Sequence, residues 1–107
     1  MSVITDSMFV IHQTDEFEEW LDKLADRKAK GIIRDRLLRI QGGNLGDVEP
    51  VGGGVSEIKI HFGAGYRLYF IKQGLVLILL LCGGDKGTQR RDINKAKAMA
   101  AELGDGE

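Results

Sequence analysis

Apolar residues at Phe17, Trp20, Leu21 and Leu24 follow the i, i+3, i+4, i+7 spacing of one helical stripe. Thr14 or Asp15 precedes them and can accept the orphan N–H groups of a first turn. Asp15, Glu16, Glu18 and Glu19 crowd that turn, where the helix dipole favours negative charge. A break near Asp26 leads to a second stripe, Ala29, Ile33, Leu37 and Ile40, which Gly42 and Gly43 stop. So short a link predicts an antiparallel helical hairpin. Ahead of it, Phe9, Val10 and Ile11 read as a short first strand.

After Pro50 the period changes to two. Ile58, Ile60 and Phe62 alternate with Glu57, Lys59 and His61; Tyr66, Leu68 and Phe70 alternate with Arg67, Tyr69 and Ile71. Gly63-Ala64-Gly65 is expected as a three-residue hairpin loop between them. If the apolar sets share a face, Phe62 pairs with Tyr66, His61 stands opposite Arg67, and Lys59 stands opposite Tyr69. Val51-Gly52-Gly53-Gly54 reads as a flexible turn. A Gln73-Gly74 turn leads into Leu75–Cys82, apolar on both faces and therefore a central strand. A last helix starts near Gln89, with Ile93, Ala96, Ala100 and Leu103 facing inward. The order is an α+β domain in two layers: N-terminal strand and helical hairpin, antiparallel three-strand meander, C-terminal helix.

A chain of 107 residues holds one core, so residues 1–107 form a single domain, with a disordered tail expected at 104–107. No apolar run reaches the roughly 18 residues a membrane span needs. The N-terminus lacks the pattern of a secretory signal. One cysteine, Cys82, excludes an internal disulfide, and a cytoplasmic location follows as the expectation. The net charge of −1 conceals patches. Residues 1–26 carry seven acids and one Lys, whereas residues 27–41 carry six Lys/Arg and one Asp. Residues 57–91 carry six cations against two acids.

Those last cations carry the chemistry. GGDKGT is not a nucleotide loop, because Lys86 precedes Gly87 where a Walker loop needs Gly-Lys-Ser/Thr. One Cys and two separated His residues give no metal-ligand spacing, so neither metal nor cofactor is expected. Lys59, His61 and Arg67 on one sheet face, with Lys86 at the next strand's end, would repel one another unless an anion visits. Arg67 suits a phosphate because its planar fork donates two parallel hydrogen bonds. His61 titrates nearest neutrality and is a candidate base or acid. Lys59 could be the base only if neighbouring cations depress its pKa. Lys86 can neutralise a leaving group.

The stretches GNLGDVEPVGGGVSEIKI, GYRLYF and GGDKGTQ resemble the RelE/ParE superfamily of toxins, in particular its HigB-like "addiction module killer protein" branch. The likeness runs from about Phe17 to Leu103. It implies a helical hairpin and a C-terminal helix around a small sheet. It also implies the toxin of a type II toxin–antitoxin module: a metal-independent messenger-RNA endoribonuclease acting on the ribosome and silenced by a co-encoded helix-turn-helix antitoxin. By position, Arg67 matches the strand arginine that grips the scissile phosphate, Lys59 falls on the face that supplies lysines, and Lys86 lies in the loop of a second cation. Tyr69, Gln89 and Arg90 are the expected substrate contacts, Tyr69 as a platform for a base. Thr88 to Lys95 lacks the aromatic residue that RelE carries there, so which group is base and which acid stays open. ParE-like relatives inhibit DNA gyrase without cutting RNA, and that is the competing reading.

Overall fold

A computed structural model describes residues 9–74 and 77–105 of the chain. The elements are β1 (Val10–Gln13), α1 (Asp15–Asp22), α2 (Arg27–Gln41), β2 (Val48–Gly52), β3 (Val55–Ile60), β4 (Tyr66–Gln73), β5 (Leu77–Gly84), a 3₁₀ turn (Lys86–Thr88) and α3 (Gln89–Asp105). The class is α+β, with the five strands in the order β1-β5-β4-β3-β2.

The expected three-strand meander is the β3–β4–β5 part of a larger sheet. β2 adds a fourth antiparallel strand at one edge, and β1 runs parallel to β5 at the other. Pro50 lies inside β2 and removes a ladder donor, which only an edge strand tolerates. Gly52, Gly53 and Gly54 all have positive φ and form the tight link from β2 to β3. The strand residues expected at Leu75 and Val76 lie outside the described residues.

Both helix starts are capped from the side chain. Thr14 Oγ1 accepts from the Phe17 amide at 3.1 Å and donates to the Leu81 carbonyl at 2.6 Å. Asp26 accepts from the Ala29 amide at 3.1 Å. α1 and α2 cover one sheet face: Phe17, Leu21, Ala29, Ile33 and Ile40 pack with Ile58, Ile60, Leu68, Phe70 and Leu80. α3 covers the other, burying Val55, Tyr69, Leu81 and Cys82 under Ala96 and Ala100. The domain therefore has three layers, not two. The sheet face that alternation marks as polar is roofed by a helix. Leu103 is exposed, contrary to expectation, and α3 runs to Asp105 through the start of the expected tail. Residues 106–107 lie outside the described residues. Among the described residues no helix is long and apolar enough to cross a membrane.

A register shift in β5 governs the site. Leu80 pairs with Phe70, but Cys82 pairs with Tyr69, so Leu81 is an extra, bulged residue. Beyond the bulge Gly83 faces Trp20 and Gly84 faces Asp92 of α3.

Candidate functional site

The β3–β4 hairpin closes differently from the expected three-residue loop. Lys59 pairs with Arg67 and Ile60 with Tyr66, a slip of two from the expected register. An even slip keeps every residue on its face and changes every partner. The loop is therefore His61 to Gly65. The Phe62 amide donates to the Ile60 carbonyl at 2.9 Å, and the Gly65 amide to the Phe62 carbonyl at 3.0 Å. Gly63 and Gly65 both take positive φ. A side chain on Gly65 would also press Lys86, whose Cβ is 3.3 Å from where it would start.

Arg67 is the second residue of β4, and its pairing with Gly84 brings the end of β5 alongside. Lys86 follows two residues later, its amide donating to the Ala64 carbonyl at 3.4 Å. His61, Phe62, Gly63, Ala64, Gly65, Arg67 and Lys86 line one cleft of about 280 Å³. Three of the four expected catalytic side chains thus share a cavity: Arg67, Lys86 and His61.

Arg67 is buried, its side chain only 9% exposed. Nη1 donates long bonds to the Gly65 and Tyr66 carbonyls, 3.3 and 3.5 Å. Nε has no hydrogen-bond partner among the described residues. Glu57 Oε1 lies 3.8 Å from that nitrogen, too far for a hydrogen bond. The Glu57 carboxylate is itself buried and accepts from Gln89 Nε2 at 2.7 Å. Arg67 is therefore a buried member of the polar strand face, with a buried carboxylate beside it.

The other expected residues are placed elsewhere. Tyr69 is fully buried under α3 and cannot stack on a base. Burial first, then the Glu57 charge, push its phenol well above the ordinary tyrosine range. Lys59 Nζ donates to Glu49 Oε1 at 2.6 Å, away from the cleft. That bond holds the ammonium above its usual pKa, the opposite of what a base requires. Gln89 is committed to Glu57 rather than open to substrate. Arg90 is exposed on α3 beside Asn94, outside the cleft. His61 is not opposite Arg67; its Nε2 meets Asp47 Oδ2 at 2.6 Å, and that bond draws the Asp47 carboxyl below its usual pKa.

Asp47 and Glu49, which partner His61 and Lys59, were legible only as a spacing. Two acids two residues apart precede the glycine turn, and two cations two residues apart follow it, as facing strands require. A second buried carboxylate, Asp92, accepts from Thr88 Oγ1 and lies 3.6 Å from Arg91 Nε. It belongs to a separate cleft of about 410 Å³ between α1 and the start of α3, where Trp20 and the Lys95–Glu16 pair also sit. The acidic and basic helix patches meet each other: Arg34 lies 3.5 Å from Asp22, and Lys30 donates to the Asp22 carbonyl at 2.8 Å.

No family model matches the chain. Over 94 residues it is 49% identical to an uncharacterized protein of Haemophilus influenzae, a match covering 88% of this chain and 95% of that one.

Proposed function

The chain belongs to one family with that Haemophilus influenzae protein, and we propose, from the geometry of its cleft, that it is a RelE/ParE-type toxin whose Arg67–Lys86 cleft holds a phosphodiester of messenger RNA. One observation carries the reading: a buried guanidinium, its Nε unpartnered among the described residues and its Nη1 making two long bonds, lines a cleft beside the exposed Lys86. Glu57 balances the charge, but buried donors so poorly bonded are costly unless an acceptor completes them. Helices on one sheet face and a C-terminal helix on the other support the RelE-like arrangement.

RNA cleavage at this cleft would be a transesterification that needs a base, an acid and cations for the phosphoryl charge. The 2′-oxygen attacks phosphorus as its proton passes to a base. The 5′-oxygen leaves with a proton from an acid, giving a cyclic phosphate and a free 5′-hydroxyl. Arg67 and Lys86 hold the charge that builds on the phosphoryl oxygens. His61, oriented by Asp47, is the cleft's proton carrier. The ribosome supplies the messenger, and a co-encoded helix-turn-helix protein supplies silencing.

The withdrawal of Lys59 and Tyr69 from the cleft favours a second reading, a ParE-like binder that blocks gyrase without chemistry. Inducible expression with mapping of cellular RNA 5′ ends separates the two. New ends within coding regions, with translation failing first, are expected. Intact messages together with trapped gyrase–DNA cleavage complexes would select the second reading.

A further inference from the structure

Outside the lining of the cleft stands one group that faces its principal cation, Glu57. Its carboxylate is 1% exposed, and one oxygen, Oε1, both accepts from Gln89 Nε2 at 2.7 Å and lies 3.8 Å from Arg67 Nε. Gln89 opens α3, so the roof helix fixes where this negative charge lies. The Tyr69 hydroxyl is also buried and unpartnered among the described residues. Both side chains lie beside the one buried carboxylate, and Arg67 Nε stands beyond hydrogen-bond reach of it. A carboxylate placed to lock Arg67 would form a bidentate pair at roughly 2.7–2.9 Å. This one neutralises the guanidinium without engaging its donors.

We infer that Glu57 is a positioning residue that sets how strongly the Arg67 cleft holds its anion, keeping the guanidinium ordered while lowering the cleft's attraction for phosphate. The inference rests on the phosphate reading of the cleft. Glu57 and a phosphate on Arg67 would be like charges on opposite sides of one cation, so the fixed charge weakens the visiting one. Its position under α3 protects it from competing solvent, so the effect persists at salt concentrations that erase surface pairs. The consequence is a site that releases its anion more readily than its buried arginine alone would allow.

The test titrates the full chain with inorganic phosphate and follows the amide signals of Gly65 and Lys86 and the Nε–H signal of Arg67 by NMR. Glu57→Gln keeps the volume and the acceptor for Gln89 while removing the charge. It should bind phosphate about tenfold more tightly than wild type, from the loss of one like charge at an effective dielectric near 20. Structural damage would weaken binding, so tightening is not its signature. Glu57→Asp retains the charge but draws it back by one methylene. It should give an intermediate affinity, and it decides the matter if Glu57→Gln does not fold. Equal or weaker binding in the variants, with the cleft signals still moving in wild type, overturns the role of Glu57 and leaves the cleft reading standing. If phosphate moves no cleft signal in any of the three proteins, the cleft reading falls and the inference falls with it.

Discussion

Gly84 lies directly beneath the Asp92 carboxylate, so close that a Cβ built on it would stand 1.8 Å from Oδ2. The bulge at Leu81 turns Gly84 toward α3, and the absence of a side chain lets Thr88 and Asp92 settle on the strand. Gly84→Ala must displace a buried, hydrogen-bonded carboxylate. Overpacking alone typically costs about 1–3 kcal/mol, and a broken buried hydrogen bond adds to it. Urea denaturation should show a loss at the top of that range or beyond. Gly31→Ala is the counterpart. Gly31 is exposed within α2 with nothing within 4 Å of its Cβ position, so the same change there should stabilise by roughly 0.8–1 kcal/mol.

Removing Arg67 should destabilise the fold, because Glu57 is left buried without its cation. Arg67→Met is expected to cost about 3–5 kcal/mol, the usual range for breaking a buried pair from one side. The double variant Arg67→Met/Glu57→Gln should cost clearly less than the sum of the two singles. A denaturation cycle on the four proteins measures that coupling. Additive losses would mean that the 3.8 Å approach carries no energy.

The sequence shows where the polar positions lie but not what covers them. Alternation assigns Glu57, Lys59, Arg67 and Tyr69 correctly to one face. It cannot show that α3 closes over that face, since a polar strand position under a helix reads like one in water. The two-residue slip between β3 and β4 was equally hidden. Phe62 is apolar and fits the ladder by parity, yet the turns at Phe62 and Gly65 end the strand at Ile60. β2 was masked by Pro50, which argues against a strand anywhere except at an edge. Arg67, Lys86 and His61 converge as their positions in the chain imply. Lys59 and Tyr69 do not, because Glu49 comes from the unrecognised strand and Tyr69 from beneath the roof.

Cys82 makes stability fall in alkali. Burial first, then the Asp92 charge, push its thiol from 9.0 up to about 12. The folded chain therefore keeps its proton between those values while the unfolded chain releases it. Stability from this group is complete below about pH 9 and declines above it, by about 1.4 kcal/mol per pH unit, until the folded thiol also ionises. The raised Tyr69 phenol acts in the same direction above its ordinary pKa. Urea midpoints measured from pH 8 to 11 should fall progressively. Cys82→Ala should flatten part of that fall, whatever it costs at neutral pH. An unchanged slope in Cys82→Ala would assign the alkaline loss to other groups.

Lys86 offers a test of the cleft without a penalty in folding. Its side chain is exposed, and among the described residues it makes no salt bridge. Surface changes of this kind usually stay within about 0.5 kcal/mol. Lys86→Ala should therefore melt like wild type. In the cleft, however, it removes one of two cations beside Gly65. A lysine that contacts one phosphate of a single strand contributes about 0.7 to the slope of log affinity against log salt. Binding of a short oligoribonucleotide across a salt series should show that slope reduced by about this amount, with affinity lower at every salt concentration. Lys23→Ala is the control, an exposed lysine paired with Glu19 on α1 and absent from the cleft lining. If both variants shift affinity and slope equally, the attraction is the general charge of the surface and Lys86 has no special place in it. A loss confined to Lys86→Ala ties the anion to the cleft.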